Sequence, residues 1–138
     1  MFTGYGQIRA GATAYGLSLR TRSPYVKPRL DLDLIRAELD AGRPCIALVH
    51  YGALRERLRI EFPDAIQNQD SFSGTHFITL VGMDDEFVYV MDPDFWKTRR
   101  EDGNYRPIPI KALDEAMRRV PESPWASVPY QGLVMKPE

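Results

Sequence analysis

The residues best suited to chemistry are one histidine and two aspartates near the middle of the chain. His76 begins a run rich in β-branched and aromatic residues, and Asp92 and Asp94 follow a second such run. A carboxylate that holds an imidazole fixes its tautomer and stabilises the imidazolium in nucleophilic catalysis. The alternative is structural, since paired ionisable groups also occur in networks that serve only the fold.

A hairpin must bring these groups together. The runs His76 to Met83 and Phe87 to Met91 flank the acidic tripeptide Asp84-Asp85-Glu86, a pattern typical of two antiparallel strands joined by a tight turn. We expect Met83 to face Phe87 across the tip.

The register of this hairpin decides whether the site forms. Counting back from the tip places Ile78 opposite Asp92 and His76 opposite Asp94, with all four side chains on one face. A shift of one residue in the turn would reverse that relation. Pro93 cannot donate to a strand ladder, so the second strand should end there or reach an edge.

Composition limits the classes of protein to consider. The 138 residues are 43% hydrophobic and 27% charged, with a net charge of −1. We expect a single globular domain over residues 1–138 with no second domain. The scattered arginines predict no nucleic-acid partner. No apolar run reaches the length of a membrane span, and the first residues do not resemble a signal peptide. We therefore expect a cytoplasmic protein without a membrane span, or a piece of a larger protein whose export signal lies elsewhere.

Helices and strands alternate along the rest of the chain. Periodicity and turn residues predict them on either side of the hairpin. In chain order, the patterns predict a helix within residues 1–16, an extended piece from Leu17 to Arg22, a helix from Asp31 to Ala41, a buried central strand from Cys45 to Tyr51, a short helix from Ala53 to Ile60, a long loop to Gly74, a charged loop from Lys97 to Arg106, a helix from Ile110 to Val120 and a last strand from Gly132 to Met135.

The single cysteine and the second histidine lie at the two ends of the predicted central strand. Because Cys45 is the only cysteine, the chain has no intrachain disulfide and no multi-cysteine metal site. Its simplest role is that of a small buried hydrophobic residue. A histidine at the end of a strand, such as His50, is more often a structural residue with its hydrogen bonds satisfied within the sheet than a metal ligand. An alternative joins His50 to His76, Asp92 and Asp94 in a divalent metal site.

Three sequence blocks resemble a known family: Gly42-Arg43-Pro44-Cys45-Ile46, Gly74-Thr75-His76-Phe77 and Val88-Tyr89-Val90-Met91-Asp92-Pro93. From about Leu17 to Val120 the chain resembles the C-terminal part of bacteriocin-processing, double-glycine-leader cysteine peptidases and their papain-like relatives. The resemblance implies an α+β fold, half of a papain-like domain, with an antiparallel sheet of about four strands and three or four helices.

The resemblance also implies the roles of individual residues. His76 matches the catalytic histidine of the family, and Asp92 matches the acid that orients it, with Asp94 as the alternative acid. The residues that would lie in the cleft or behind these groups are His50, Gly74, Thr75 and Trp96.

The chain departs from the family at the nucleophile. The family carries a cysteine followed by Gly-Pro, with an oxyanion-hole glutamine a few residues earlier, and this chain has no such motif. Cys45 is followed by Ile46, and Gln7 precedes no cysteine. The resemblance implies that the Cys45 strand runs antiparallel to the His76 strand. This pairing would place His50 near His76 and Cys45 toward the opposite end of the strand pair. Cys45 is therefore a poor nucleophile, and the chain looks like a peptidase domain without its N-terminal catalytic lobe.

Three functions remain open at this point. The first is a degenerate peptidase, or pseudoenzyme, that acts as a peptide-binding or regulatory module. The second is an active thiol hydrolase or acyltransferase whose cysteine comes from a partner chain, a homo-oligomer or an upstream segment. The third is a metal-binding protein that uses His50, His76 and Asp92. The first two predict a peptide or protein segment as partner and no cofactor.

Overall fold

The computed structural model describes residues 4–21, 29–54, 74–93, 103–123 and 128–137. Within them, six strands form one antiparallel sheet in the order β1-β6-β2-β3-β4-β5. The strands are β1 (Leu17–Thr21), β2 (Cys45–His50), β3 (Thr75–Met83), β4 (Phe87–Met91), β5 (Arg106–Pro109) and β6 (Gly132–Pro137). The helices are α1 (Tyr5–Ala14), α2 (Leu32–Asp40) and α3 (Ile110–Arg118), with a 3-10 turn at Val120–Glu122 and helical residues at 51–54. The expected α+β class is confirmed, with two strands more than predicted.

The N-terminal helix and strand agree with the sequence pattern. Helix α1 ends at Ala14, and Gly16 has a φ of 71°, the left-handed conformation that glycine adopts without steric cost. Strand β1 then begins at Leu17 and pairs with β6 along its whole length. The ring of Tyr5 packs edge-on against Phe77 of β3, with centroids 5.2 Å apart. Helix α1 therefore lies on the same face of the sheet as Phe77.

Helix α2 begins and ends where its capping residues predict. The Asp31 carboxylate accepts a hydrogen bond from the Leu34 amide at 3.1 Å, which satisfies one of the free amides of the first turn. Gly42 follows the helix with a φ of 72°. Ile35 is fully buried, and the buried Glu38 carboxylate pairs with the Arg43 guanidinium. The prediction of a helix between Asp31 and Ala41 is confirmed.

Strand β2 is the buried centre of the sheet. It pairs with β3 on one side and β6 on the other, and its alternate residues Cys45, Ala47 and Val49 have no exposed surface. These residues join Ile35 of α2 and Leu113 of α3 in one buried cluster. The prediction of a central strand covered on both faces is confirmed, although the strand ends at His50, one residue earlier than expected.

The β3–β4 hairpin forms as predicted, but its tip is different. Met83 faces Val88, not Phe87, so the expected tip pairing is wrong. The Asp84 carboxylate accepts hydrogen bonds from the amides of Glu86 and Phe87 at 2.8 and 2.7 Å, and this local turn sets the closure.

A bulge in β3 corrects the register below the tip. Gly82 pairs with Tyr89 and Leu80 pairs with Val90, so Val81 is an extra residue in its strand. Without this extra residue, the tip pairing would place the even-numbered residues of β3 opposite odd-numbered residues of β4. Because strand side chains alternate, that register would send His76 and Asp92 to opposite faces. The bulge restores the expected alignment of the site.

Strand β5 was not predicted. Residues 106–109 pair with β4 at the edge of the sheet, where the charged loop was expected to run as far as Arg106. Pro107 and Pro109 have no amide hydrogen to donate, which argues against a central strand but is compatible with an edge.

The C-terminal elements extend slightly beyond or fall short of the predicted bounds. Helix α3 ends at Arg118 and its last predicted residue, Val120, begins the 3-10 turn. The expected apolar stripe is present, with Leu113, Ala116 and Met117 fully buried. Strand β6 begins at Gly132 as predicted and reaches Pro137. No helix among the described residues has the length and apolar character needed to cross a membrane.

Candidate functional site

The site is built from the open end of the β3–β4 hairpin. His76 is the second residue of β3, and Asp92 follows the last residue of β4. In the register of Leu80 with Val90, Asp92 lies diagonally across from His76, a separation that long side chains bridge. The Nε2 atom of His76 and the Oδ1 atom of Asp92 are 2.7 Å apart. The structure therefore brings this predicted pair into direct hydrogen-bond contact.

Burial differs between the two partners. The Asp92 side chain is 1% exposed, whereas the His76 side chain is 17% exposed. The backbone amide of Asp92 also donates to the Gly103 carbonyl at 2.8 Å, which anchors the residue just beyond the end of β4. A buried carboxylate whose backbone is anchored in this way can hold a more exposed imidazole in one orientation.

The hydrogen bond determines which imidazole nitrogen is available. An ionised carboxylate only accepts hydrogen bonds, so Nε2 of His76 must carry the proton that it donates to Asp92. In the neutral ring, Nδ1 then has the free lone pair and is the basic nitrogen. The pair can therefore take up a proton at Nδ1 and stabilise the resulting imidazolium, which are the tasks of a general base and its orienting acid.

Tyr51 is a site residue that sequence reasoning missed. Its ring packs against the His76 imidazole with centroids 4.5 Å apart and an angle of 52° between the ring planes. Tyr51 follows directly after β2, and its amide donates to the Gly74 carbonyl at 2.9 Å. Antiparallel pairing of the central strand with the His76 strand was the available signal, because it places the residue after His50 close to the start of β3.

His50 is part of the scaffold. Its Nδ1 atom accepts a hydrogen bond from the Ala53 amide at 3.1 Å, the geometry of a side-chain cap on the helical residues 51–54. His50 pairs with Thr75, whereas His76 pairs with Val49. The two histidines are thus neighbours along the strands, as predicted, but they project to opposite faces of the sheet.

The predicted metal site is wrong for its described residues, His50, His76 and Asp92. Within the described part of the chain, no three histidine, cysteine, aspartate or glutamate side chains form a group suited to a metal ion. Since His50 points away from His76, the set of His50, His76 and Asp92 does not assemble.

Cys45 lies far from the imidazole. It pairs with Leu80, four residues from the pairing of Val49 with His76, which corresponds to about 13 Å along the strand. Its side chain has no exposed surface. The expectation that Cys45 is a buried hydrophobic residue and not the nucleophile agrees with this position.

The other candidate residues have different outcomes. Asp94 and Trp96 lie outside the described residues, so their predicted roles remain predictions. The Gly74 carbonyl accepts a hydrogen bond from the Tyr51 amide, and Thr75 is half-buried at the start of β3. Their predicted place beside the cleft also remains a prediction.

Comparison with known proteins gives a distant structural similarity. No protein-family model matches the chain, and no curated protein matches it. Among solved structures, the chain is similar to a protein from Bacillus anthracis described as a C39-like peptidase, with 16% sequence identity and a TM-score of 0.46. The similar region covers 78% of this chain and 48% of that one, so this chain spans less than half of that protein's length.

Proposed function

We propose that this chain is a papain-like cysteine peptidase-type domain that binds an extended peptide beside His76 and does not cleave it alone. The observation that supports this function is the combination of a formed His76–Asp92 pair with a distant thiol. The sequence blocks around Cys45, His76 and Asp92 resemble the double-glycine-leader peptidases, which supports a peptide as the ligand.

The distant thiol argues against covalent catalysis by the single chain. Acyl transfer requires the nucleophile within hydrogen-bond reach of its base. Cys45 is the only cysteine of the sequence, and it is buried about 13 Å along the strand from the level of His76. The imidazole therefore has an orienting acid but no sulfur of this chain to activate.

The imidazole has the chemistry to contact a peptide backbone. The His76 side chain is partly exposed, and Asp92 occupies only its Nε2 atom. In the neutral ring, Nδ1 can accept a hydrogen bond from a peptide amide; in the imidazolium it can donate one to a peptide carbonyl. Either contact would orient a bound peptide without breaking it.

Binding and cleavage of one peptide test this function together. A fluorescent peptide with an internal Gly-Gly sequence is titrated with the protein, followed by anisotropy, and the products are examined by mass spectrometry. We expect saturable binding, no cleavage, and a loss of affinity of about tenfold in His76→Ala, as for one hydrogen bond. Thr79→Ala changes the opposite face of the same strand and serves as the control. Cleavage by the wild-type chain, or equal affinity in His76→Ala, would contradict the proposal.

A second function is favoured by the orientation of the imidazole. Because Asp92 holds Nε2, the basic Nδ1 atom is left for a thiol supplied by another chain or segment. In that reaction Nδ1 takes the thiol proton, the sulfur attacks the acyl carbon, and the proton passes to the leaving group as its bond to carbon breaks. The domain would then be the base-bearing half of a hydrolase or acyltransferase.

A small external thiol can replace the missing partner in a test. Mercaptoethanol and an activated peptide ester are mixed with the protein, and formation of the thioester is followed over time. If the second function holds, wild type and Cys45→Ala accelerate the reaction equally and His76→Ala does not. Equal rates in wild type and His76→Ala would argue against it, and loss of acceleration in Cys45→Ala would contradict the assignment of Cys45 as structural.

A further inference from the structure

The ring of Tyr51 lies against the imidazole of His76. The Tyr51 side chain covers the imidazole at a centroid distance of 4.5 Å, and Tyr51 is only 5% exposed. We infer that Tyr51 is a positioning residue: its ring holds the His76 imidazole in the orientation in which Nε2 meets Asp92 and Nδ1 faces away from it. This inference rests on the proposed function only for the use that is made of Nδ1.

Tyr51 can act in this way because it is itself fixed at two points. Its amide donates to the Gly74 carbonyl at 2.9 Å, which ties it to the segment that leads into His76. The His50 imidazole caps the helical residues 51–54 through the Ala53 amide, and Leu54 in the same turn has no exposed surface. These two contacts fix the backbone of Tyr51, and because the residue is only 5% exposed its ring has little room to rotate away from His76.

An aromatic ring at this distance affects the imidazole in two ways. It occupies the space into which the imidazole would tilt, so the carboxylate of Asp92 keeps one nitrogen as its partner. Its π face also attracts a cation, which favours the imidazolium that forms when Nδ1 takes up a proton. Tyrosine supplies both effects through its ring, and phenylalanine would retain the first and most of the second.

NMR of the imidazole nitrogens tests the inference without any assay of activity. The chain has two histidines, so a labelled sample contains two imidazoles, and His50 provides an internal reference. In wild type we expect His76 to carry its proton on Nε2 and to exchange it slowly. In Tyr51→Leu we expect exchange about tenfold faster and a mixture of tautomers, the change expected for loss of one aromatic contact. Tyr51→Phe should retain the wild-type signals.

The controls separate positioning from general loss of stability. Leu54→Val removes buried volume from the same helical turn but leaves the ring contact intact, so it should lower stability without changing the tautomer of His76. Tyr51→Met is the second variant if Tyr51→Leu does not fold. A folded Tyr51→Leu or Tyr51→Met with wild-type His76 signals would overturn the inference. If wild-type His76 itself lacks the Nε2 proton bonded to Asp92, the His76–Asp92 arrangement on which the proposed function depends is wrong. That result differs from a change seen only in the Tyr51 variants, so the two failures can be told apart.

Discussion

The two ends of the β2–β3 pair carry potentially reactive side chains in opposite surroundings. At one end Cys45 pairs with Leu80, and neither residue has exposed surface. At the other end Val49 pairs with His76, which is partly exposed and bonded to Asp92. The alternation of strands places Cys45 and His76 on the same face. The comparison shows that position along the strand, and not the face of the sheet, separates the buried thiol from the partly exposed imidazole.

The largest expected effect that tests this comparison is on the reactivity of the Cys45 thiol. Since its thiol is fully buried, it should react with iodoacetamide only when the protein opens. We expect alkylation of native protein to be slower than that of urea-unfolded protein by about a thousandfold or more. Mass spectrometry over time measures both rates. Rapid stoichiometric labelling of native protein would mean that the thiol end of the strand pair is accessible.

The next effect is the stability contributed by the buried end. Leu80→Ala removes a fully buried side chain beside Cys45 and should lower the free energy of unfolding by about 2–5 kcal/mol. Urea denaturation provides the measurement. Thr79→Ala changes the half-buried neighbour on the opposite face and should cost less than about 1 kcal/mol. A near-neutral Leu80→Ala would be incompatible with a central position for this strand pair.

A smaller loss of stability is expected at the end that carries the site. His76→Ala removes one hydrogen-bond partner from the buried Asp92 carboxylate and should cost about 1–3 kcal/mol. In a double-mutant cycle with Asp92→Asn, the double mutant should lose less stability than the sum of the two single-mutant losses, because both changes remove the same bond. A cost of His76→Ala above about 4 kcal/mol, beyond the loss of one hydrogen bond, would indicate that His76 is chiefly a core residue.

The smallest effect is the acid dependence of stability at the hairpin tip, beyond the Cys45 end. The Tyr89 hydroxyl, followed by the amides of Phe87 and Glu86, donates to the Asp84 carboxylate and lowers its pKa. Because the folded pKa lies below the unfolded value of about 3.9, this stabilisation is present above that pH and is lost as the pH falls through the folded pKa.

The matching experiment compares Asp84→Asn with wild type in urea melts from pH 7 to pH 3. We expect Asp84→Asn to be less stable at neutral pH and to lose less stability on acidification. Asp85→Asn alters the neighbouring carboxylate, which is 99% exposed, and should change stability at neutral pH by no more than about 0.5 kcal/mol. Identical acid dependence in wild type and Asp84→Asn would show that the tip turn does not depend on this carboxylate.

Local patterns were sufficient to predict most elements. Period-two alternation, capping residues and turn residues predicted the hairpin, α2, the buried strand β2 and the stripe of α3, because each depends on neighbours in sequence. Edge strand β5 was missed because its two prolines argue against a strand, and only its position at the edge of the sheet makes them acceptable.

The site divides in the same way. Strand alternation and antiparallel counting, applied to the sequence alone, indicated that His76 and Asp92 can share a face. The family resemblance of the sequence implied that Cys45 lies toward the opposite end of the strand pair from His76. The absence of a cysteine followed by Gly-Pro was likewise visible in the sequence.

Three features were decided only by the tertiary structure. The bulge at Val81 compensates for a tip that closes one residue away from the expected pairing, and so keeps His76 beside Asp92. The ring of Tyr51 packs on the imidazole, and His50 caps the turn that holds this ring. Each depends on contacts between residues distant in sequence or on a local departure from regular pairing. Periodicity carries no signal for such contacts, because it reports which face a side chain occupies and not which side chain it meets there.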